Sequence, residues 1–277
     1  MIRLHRIRTK EAIPSTFRGK TPLKRLTDIM KVVRAQKATN AELTLKFDSK
    51  WSVVKEQLLK ETFDKCAYCE TATKVVAFGD VEHYRPKSVY WWLAYVYDNY
   101  LASCAVCNQQ FKSDRFECVG VVMPAPAVLV GASDAALDQL AAGAIPDPLD
   151  AAQVAAFEAL HHKESALIPN PYFDDPETIF AWDILDGTKE VEVVPLPQNP
   201  AAEKIVDAVE RIYGLNRPEL KRLRYKQYEF YRLARRAADT PGVPADIRDM
   251  SKDLIHTMVQ PDSQYAGMIR YFEAIHV

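Results

Sequence analysis

Apolar and polar positions alternate along this chain in a way that predicts short strands among many helices. From Leu23 to Gln36 the apolar residues Leu26, Ile29, Met30 and Val33 recur on one helical face. Residues 1–25 lead into it as an irregular arm of Arg and Lys interrupted by Pro14 and Pro22. Residues 40–63 predict a second helix, with Asn40 as its N-cap and Leu43, Leu45, Trp51, Val54, Leu58 and Leu59 on its buried side. The run Val75-Val76-Ala77-Phe78 up to His83 predicts one strand, or a hairpin broken at Gly79-Asp80, and Pro86 stops it. Residues 88–103 are dense in aromatics and are expected to bury as a core that seats Asn99. Left exposed, they would stack nucleic-acid bases instead. Residues 104–116 predict a short helix.

Further on the pattern becomes mainly helical. Residues 119–165 are rich in Ala, Val and Pro, with helical pieces at 135–144 and 149–160. A strand at 190–195 follows a turn at Asp186-Gly187. Helices are expected from Gln198 to Tyr213, from Pro218 to about Ala238, at 244–259 and at 263–275. The fold class is therefore α+β and mostly helical. The chain divides into an arm and helical scaffold (1–60), a chemistry-bearing core (61–118), an acidic Ala/Pro-rich insertion (119–165) and a mainly helical C-terminal region (166–277).

Composition narrows the function. The chain has 277 residues, 48% of them hydrophobic, which suits a globular protein. It holds no run of eighteen apolar residues, and Met1 to Lys10 lack the apolar centre of a signal peptide. A cytoplasmic location is expected, where thiols stay reduced. The net charge of −1 hides an asymmetry. Residues 1–37 carry eleven Lys and Arg against Glu11 and Asp28, whereas 119–200 carry thirteen acids against Lys163 and Lys189. The basic arm suits nucleic acid, and the acidic middle suits solvent or a protein partner.

The chemistry concentrates between Cys66 and Lys112. Two Cys-x-x-Cys turns, Cys66/Cys69 and Cys104/Cys107, supply four thiolates, the closed tetrahedral set of a structural zinc. Between them stands Glu82-His83, a carboxylate able to hold a hard cation beside an imidazole able to take a proton from water. Neighbours on a strand point to opposite faces, so this pair needs a strand end to share a site. Arg85 and Lys87 flank the histidine and are expected to clamp phosphates. His161-His162 lack metal-spaced companions and are expected at the surface; Cys118 is left over as a buried thiol.

Cys66-Ala-Tyr-Cys69, Glu82-His83-Tyr-Arg-Pro86, Asn99-Tyr-Leu-Ala-Ser-Cys104-Ala-Val-Cys107-Asn108 and Lys112 together resemble the HNH (ββα-metal) endonucleases, in the branch pinned by a four-cysteine zinc. Glu82 stands for the commoner aspartate and Tyr100 for the usual leucine. The resemblance implies a ββα-metal core wrapped by N- and C-terminal helices. It implies His83 as general base, Glu82 and Asn108 as ligands of one catalytic Mg²⁺ or Mn²⁺, and Asn99 as the residue positioning the histidine loop. Lys112 falls where the family has a phosphate-facing lysine. Leu167-Ile-Pro-Asn-Pro-Tyr-Phe-Asp-Asp-Pro176 and Arg211-Ile-Tyr-Gly-Leu-Asn-Arg-Pro218 extend the resemblance to the HNH subunit of Septu-type antiphage systems. That branch implies DNA as the first expected substrate and an ABC/SMC-like ATPase as partner. Two alternatives stay open: the same nuclease acting on RNA such as tRNA, and a zinc-ribbon nucleic-acid binder without catalysis. The binder has no need of the Glu-His-x-x-Pro and Cys-Asn-x₃-Lys constellation.

Overall fold

A two-stranded antiparallel sheet lies at the boundary between two buried apolar clusters. The computed structural model describes residues 1–75 and 77–276, so Val76 of the expected strand run lies outside the described residues. Strand β1, Asp80–His83, pairs with β2, Tyr100–Ser103, so that Glu82 faces Leu101 and His83 faces Tyr100. Leu101 belongs to the cluster that holds the cysteines, while Tyr100 and Ala102 belong to the other. The period of two along β2 thus divides the interior.

On one side pack helix α1, Lys20–Ala38, helix α2, Lys55–Glu61, and the aromatic stretch Tyr90–Tyr97. Helix α3, Asp134–Ala144, lies against α1. Helix α4, Ala151–Glu164, starts at an Asp150 side chain that caps the amides of Ala152 and Gln153. On the other side a hairpin of β3, Phe180–Leu185, and β4, Glu190–Pro195, packs with four helices. These are α5, Ala202–Tyr213, α6, Pro218–Asp239, α7, Ala245–Met258, and α8, Ala266–Ile275. The aromatic stretch is core, as its composition predicts. No helix among the described residues is long and apolar enough to cross a membrane.

Three expectations need correction. The helix expected over 40–63 forms only as a 3-10 turn, Lys50–Val54, followed by α2. Asn40 does not cap that helix: at φ 52° it is the left-handed residue that ends α1. Gln36 then closes the loop, donating to Thr44 O at 2.9 Å and accepting from Thr44 N at 3.1 Å. The strand expected from Val75 starts only at Asp80, and Val75 and Phe78 are exposed. The first residues of the arm expected to face nucleic acid turn inward, while Lys10, Lys20 and Lys24 stay exposed. Met1, Ile2 and Leu4 are buried, Arg6 lies 3.5 Å over the Tyr172 ring and 2.9 Å from Glu61, and Arg8 reaches Asp98 at 2.7 Å. Buried carboxylates demand cationic partners, and the arm supplies them.

The site itself is set by a π-helical segment, Val106–Lys112, that follows β2 directly and packs on α5. Gly214 ends α5 at φ 59° where a Cβ would come within 2.3 Å of the Phe111 ring. Both its conformation and that close approach require glycine.

Candidate functional site

The four knuckle cysteines converge. Sulfurs of Cys66, Cys69, Cys104 and Cys107 all lie within 4.8 Å of one another, and Cys69 and Cys104 are 4.0 Å apart. Zn–S bonds of about 2.3 Å place sulfurs about 3.8 Å apart in a tetrahedron, so the set is compatible with a structural zinc. Tight turns build it: Glu70 N donates to Cys66 O at 3.0 Å with Glu70 at φ 60°, and Cys107 N donates to Cys104 Sγ at 3.4 Å. Four thiolates on one zinc leave a net negative centre, and two arginines lie beside it. Arg217 donates to Cys107 Sγ at 3.6 Å, and buried Arg224, its pKa depressed to about 10 by burial, has Cys69 among its charged neighbours. Tyr68, between the first two cysteines, stacks on Tyr213 of α5 at 3.9 Å. A cavity of about 530 Å³ lies beside Cys69 and Cys104 but is walled mainly by apolar side chains such as Phe111, Leu220 and Leu223.

The reactive groups line a smaller cavity of about 340 Å³. Glu82, His83, Lys87 and Asn108 share it with Trp51 and Asp114. Glu82 and His83 do point to opposite faces of β1. They reach one space because, among the described residues, β1 pairs with β2 alone and the chain turns at Pro86.

His83 is fixed on every side. Its Nε2 lies 3.2 Å from the Ala94 carbonyl. A carbonyl only accepts, so Nε2 carries the proton and Nδ1 keeps its lone pair. Trp51 and Tyr100 meet the ring edge to face at 4.7 and 5.1 Å. Burial first, and then the Lys87 ammonium, hold the imidazole far below its usual value, at about 3, so it is neutral at pH 7. Asn99 is wholly buried and clasps the following residues: its backbone carbonyl takes Tyr84 N at 2.8 Å, Oδ1 takes Arg85 N at 2.9 Å, and Nδ2 donates to Arg85 O at 3.0 Å.

Glu82 is the buried carboxylate of this cavity. Burial raises its carboxyl although Lys112 opposes the shift. Lys112 Nζ stands 2.5 Å from Oε1 and donates to the His83 carbonyl at 3.0 Å, yet Oε1 is buried without a hydrogen bond of good geometry. A buried carboxylate oxygen without a well-formed hydrogen bond, with a side-chain amide on the same cavity, is the kind of oxygen-donor set that could hold Mg²⁺ if the cation displaced the Lys112 ion pair.

Not every expected residue faces that space. Lys112 and Arg85, expected on phosphates, are each fully buried. Lys112 is held by Glu82 and the His83 carbonyl, and Arg85 by Glu164 at 2.6 Å. Lys87 alone of the three basic residues stays partly exposed on the cavity, 5.5 Å over the Trp51 ring. His161, expected at the surface, is buried, while His162 is exposed. Sequence reasoning missed Asp80, which accepts from Asn108 Nδ2 at 3.1 Å and Gln109 Nε2 at 2.8 Å. Its signal was available: Asp80 and Glu82 stand two apart on one strand and so share a face. Trp51 carried no such signal.

No family model matches this chain, and no solved structure does. Among curated proteins, it is 36% identical over 75 aligned residues to "Septu protein PtuB" of Bacillus mycoides (strain KBAB4). The aligned stretch covers 22% of this chain and spans 25% of that protein's length, so the likeness to PtuB is local.

Proposed function

We propose that this chain is a metal-dependent endonuclease of the HNH (ββα-metal) type, with DNA as its first substrate. The observation that carries this reading is the neutral His83, its Nε2 locked on Ala94 and its Nδ1 without a hydrogen bond among the described residues, lining the same cavity as Glu82 and Asn108. Nδ1 takes the proton of the attacking water. The Ala94 carbonyl holds the ring in the tautomer this needs and meets the charge that develops on it. An anionic phosphodiester in the cavity offsets the Lys87 part of the shift on the ring, while the larger part, burial, stays. Glu82 and Asn108 would hold Mg²⁺ or Mn²⁺; when bound, that ion stabilises charge on the phosphorane and the leaving oxygen. Lys87, at the open side, is placed to meet a phosphate. Asn99 acts one step back by fixing the backbone after His83.

Incubation of the purified chain with supercoiled plasmid, and separately with tRNA, is the direct test. Strand cleavage that needs Mg²⁺ or Mn²⁺ and stops with EDTA is expected, on plasmid first. Cleavage of tRNA alone would move the substrate to RNA. Binding with no cleavage of either polymer would leave the zinc-ribbon binder as the better reading.

The likeness to PtuB supports a further step, a role in antiphage defence beside an ABC/SMC-like, PtuA-like ATPase. Co-expression with a PtuA-like ATPase from the same genome is expected to give one complex through gel filtration. Elution of this chain alone at every salt concentration would remove that partner.

A further inference from the structure

Arg85 stands two residues beyond His83 and takes no part in the chemistry above, yet its side chain is fully buried. Its Nε donates to Glu164 Oε2 at 2.6 Å, and Nη2 donates to His161 Nδ1 at 3.1 Å. His161 and Glu164 are neighbours on the last turn of α4, three positions apart. The second oxygen of Glu164 accepts from the Tyr90 hydroxyl at 2.6 Å and the Met123 amide at 3.1 Å.

The protonation of this cluster follows from its geometry. A guanidinium only donates, so His161 Nδ1 is an acceptor and Nε2 carries the proton, which it gives to Asp174 Oδ2 at 2.9 Å. His161 is therefore neutral with both nitrogens committed. His161, His162 and Asp174 do have ligand spacing. A cation on His161 Nε2 would move the ring proton to Nδ1, facing the guanidinium, so the cluster is built for hydrogen bonds and not for a metal. Asp174 is anchored in turn, accepting from Asn170 N at 2.7 Å.

The residues after His83 are thus held from two sides. Asn99 clasps the backbone of Tyr84 and Arg85 from β2, while α4 clasps the Arg85 side chain. Tyr84 donates to the Ile168 carbonyl at 2.5 Å, just beyond α4. On the nuclease reading above, on which this rests, we propose that Glu164, seconded by His161, is a positioning residue: through Arg85 it fixes the loop that aims His83 Nδ1. The 119–165 segment is then part of the scaffold of the active site, and not an insertion added to one face.

The full-length chain tests this with Glu164→Gln, His161→Phe and Val154→Ala. Val154 is buried on the same helix and makes none of these bonds, so its variant loosens α4 without touching the clasp. Four quantities are read at equal folded fraction: kcat and KM for cleavage, zinc content, and hydrogen exchange at the Arg85 amide. Glu164→Gln is expected to lower kcat about 10- to 100-fold, the scale set by an ångström of misplacement, with KM and zinc unchanged. Exchange at the Arg85 amide should rise. His161→Phe keeps a ring in place but removes both the acceptor for Arg85 and the donor to Asp174; it should shift both readouts the same way by less, because Glu164 still holds the guanidinium, and it serves if Glu164→Gln does not fold. Val154→Ala should keep the wild-type kcat. Wild-type kcat in both clasp variants overturns the proposal, as does an equal loss in Val154→Ala. If His83→Ala cuts as fast as wild type, the nuclease reading fails instead, and amide exchange still reports on the clasp.

Discussion

His83→Ala is expected to give a folded, zinc-loaded protein that binds nucleic acid and cuts it about 10²–10⁴-fold more slowly, the usual worth of a positioned general base. Folding should survive because the ring makes one hydrogen bond, to Ala94 O, and Tyr100 Oη keeps its own bond to that carbonyl at 2.6 Å. Lys112 binds the backbone carbonyl of residue 83 and not its ring, so the strand end stays anchored. The loss of buried packing against Trp51 and Tyr100 should cost roughly 0.5–3 kcal/mol, the ordinary range for a point substitution. The measurement is a single-turnover cleavage rate set beside a thermal melt and a binding isotherm. A rate equal to wild type would refute the assignment of His83 as base. A lost rate with lost folding would leave it undecided, and His83→Gln, which keeps a polar side chain of similar length, would then be the variant to read.

The parts of this site that were legible in the sequence are those whose partners lie close along the chain. Cys66 and Cys69, or Cys104 and Cys107, signal a shared turn through spacing alone. Glu82, His83 and Lys87 stand within six residues, and the structure brings them with Asn108 to one cavity. The helices with an uninterrupted apolar period, Lys20–Ala38 and Pro218–Asp239, were legible for the same reason. What failed were charges whose partners are remote. Arg85 looks like a phosphate clamp until Glu164, 79 residues on, takes its guanidinium. Arg6 and Arg8 look like a nucleic-acid arm until Glu61 and Asp98 fold over them. Sequence tells that a cation is present and does not tell which carboxylate will claim it. Asn40 failed differently, since its side chain suits a helix start and its backbone suits a helix end, and the structure uses the backbone.

Cys66→Ser should have the largest effect on stability. A serine hydroxyl does not ionise at neutral pH, so three thiolates would remain where zinc needs a closed set of four. Zinc on such sites is worth about 10–16 kcal/mol in small zinc-binding folds, as large as the whole stability of a typical domain at about 5–15 kcal/mol. Here the metal would tie together elements far apart in sequence. The knuckle at Cys66–Cys69 stacks Tyr68 on α5, Glu70 meets the Met1 ammonium and Gly267 of α8, and the knuckle at Cys104–Cys107 opens the π-helical segment carrying Asn108. Loss of the ion would therefore unfasten the cysteine-side cluster and displace Asn108 as well, lowering both stability and cleavage. Cys104→Ser should act alike. Cys118→Ser, at a half-buried thiol outside the cluster, should keep its metal and change little. Metal analysis per folded chain, with melting curves before and after a strong chelator, reads all of this. One zinc per chain is expected in wild type and in Cys118→Ser, and substoichiometric zinc with insoluble or partly unfolded protein in Cys66→Ser. Soluble, folded wild-type protein free of zinc would show that the four thiols hold the fold together without a metal.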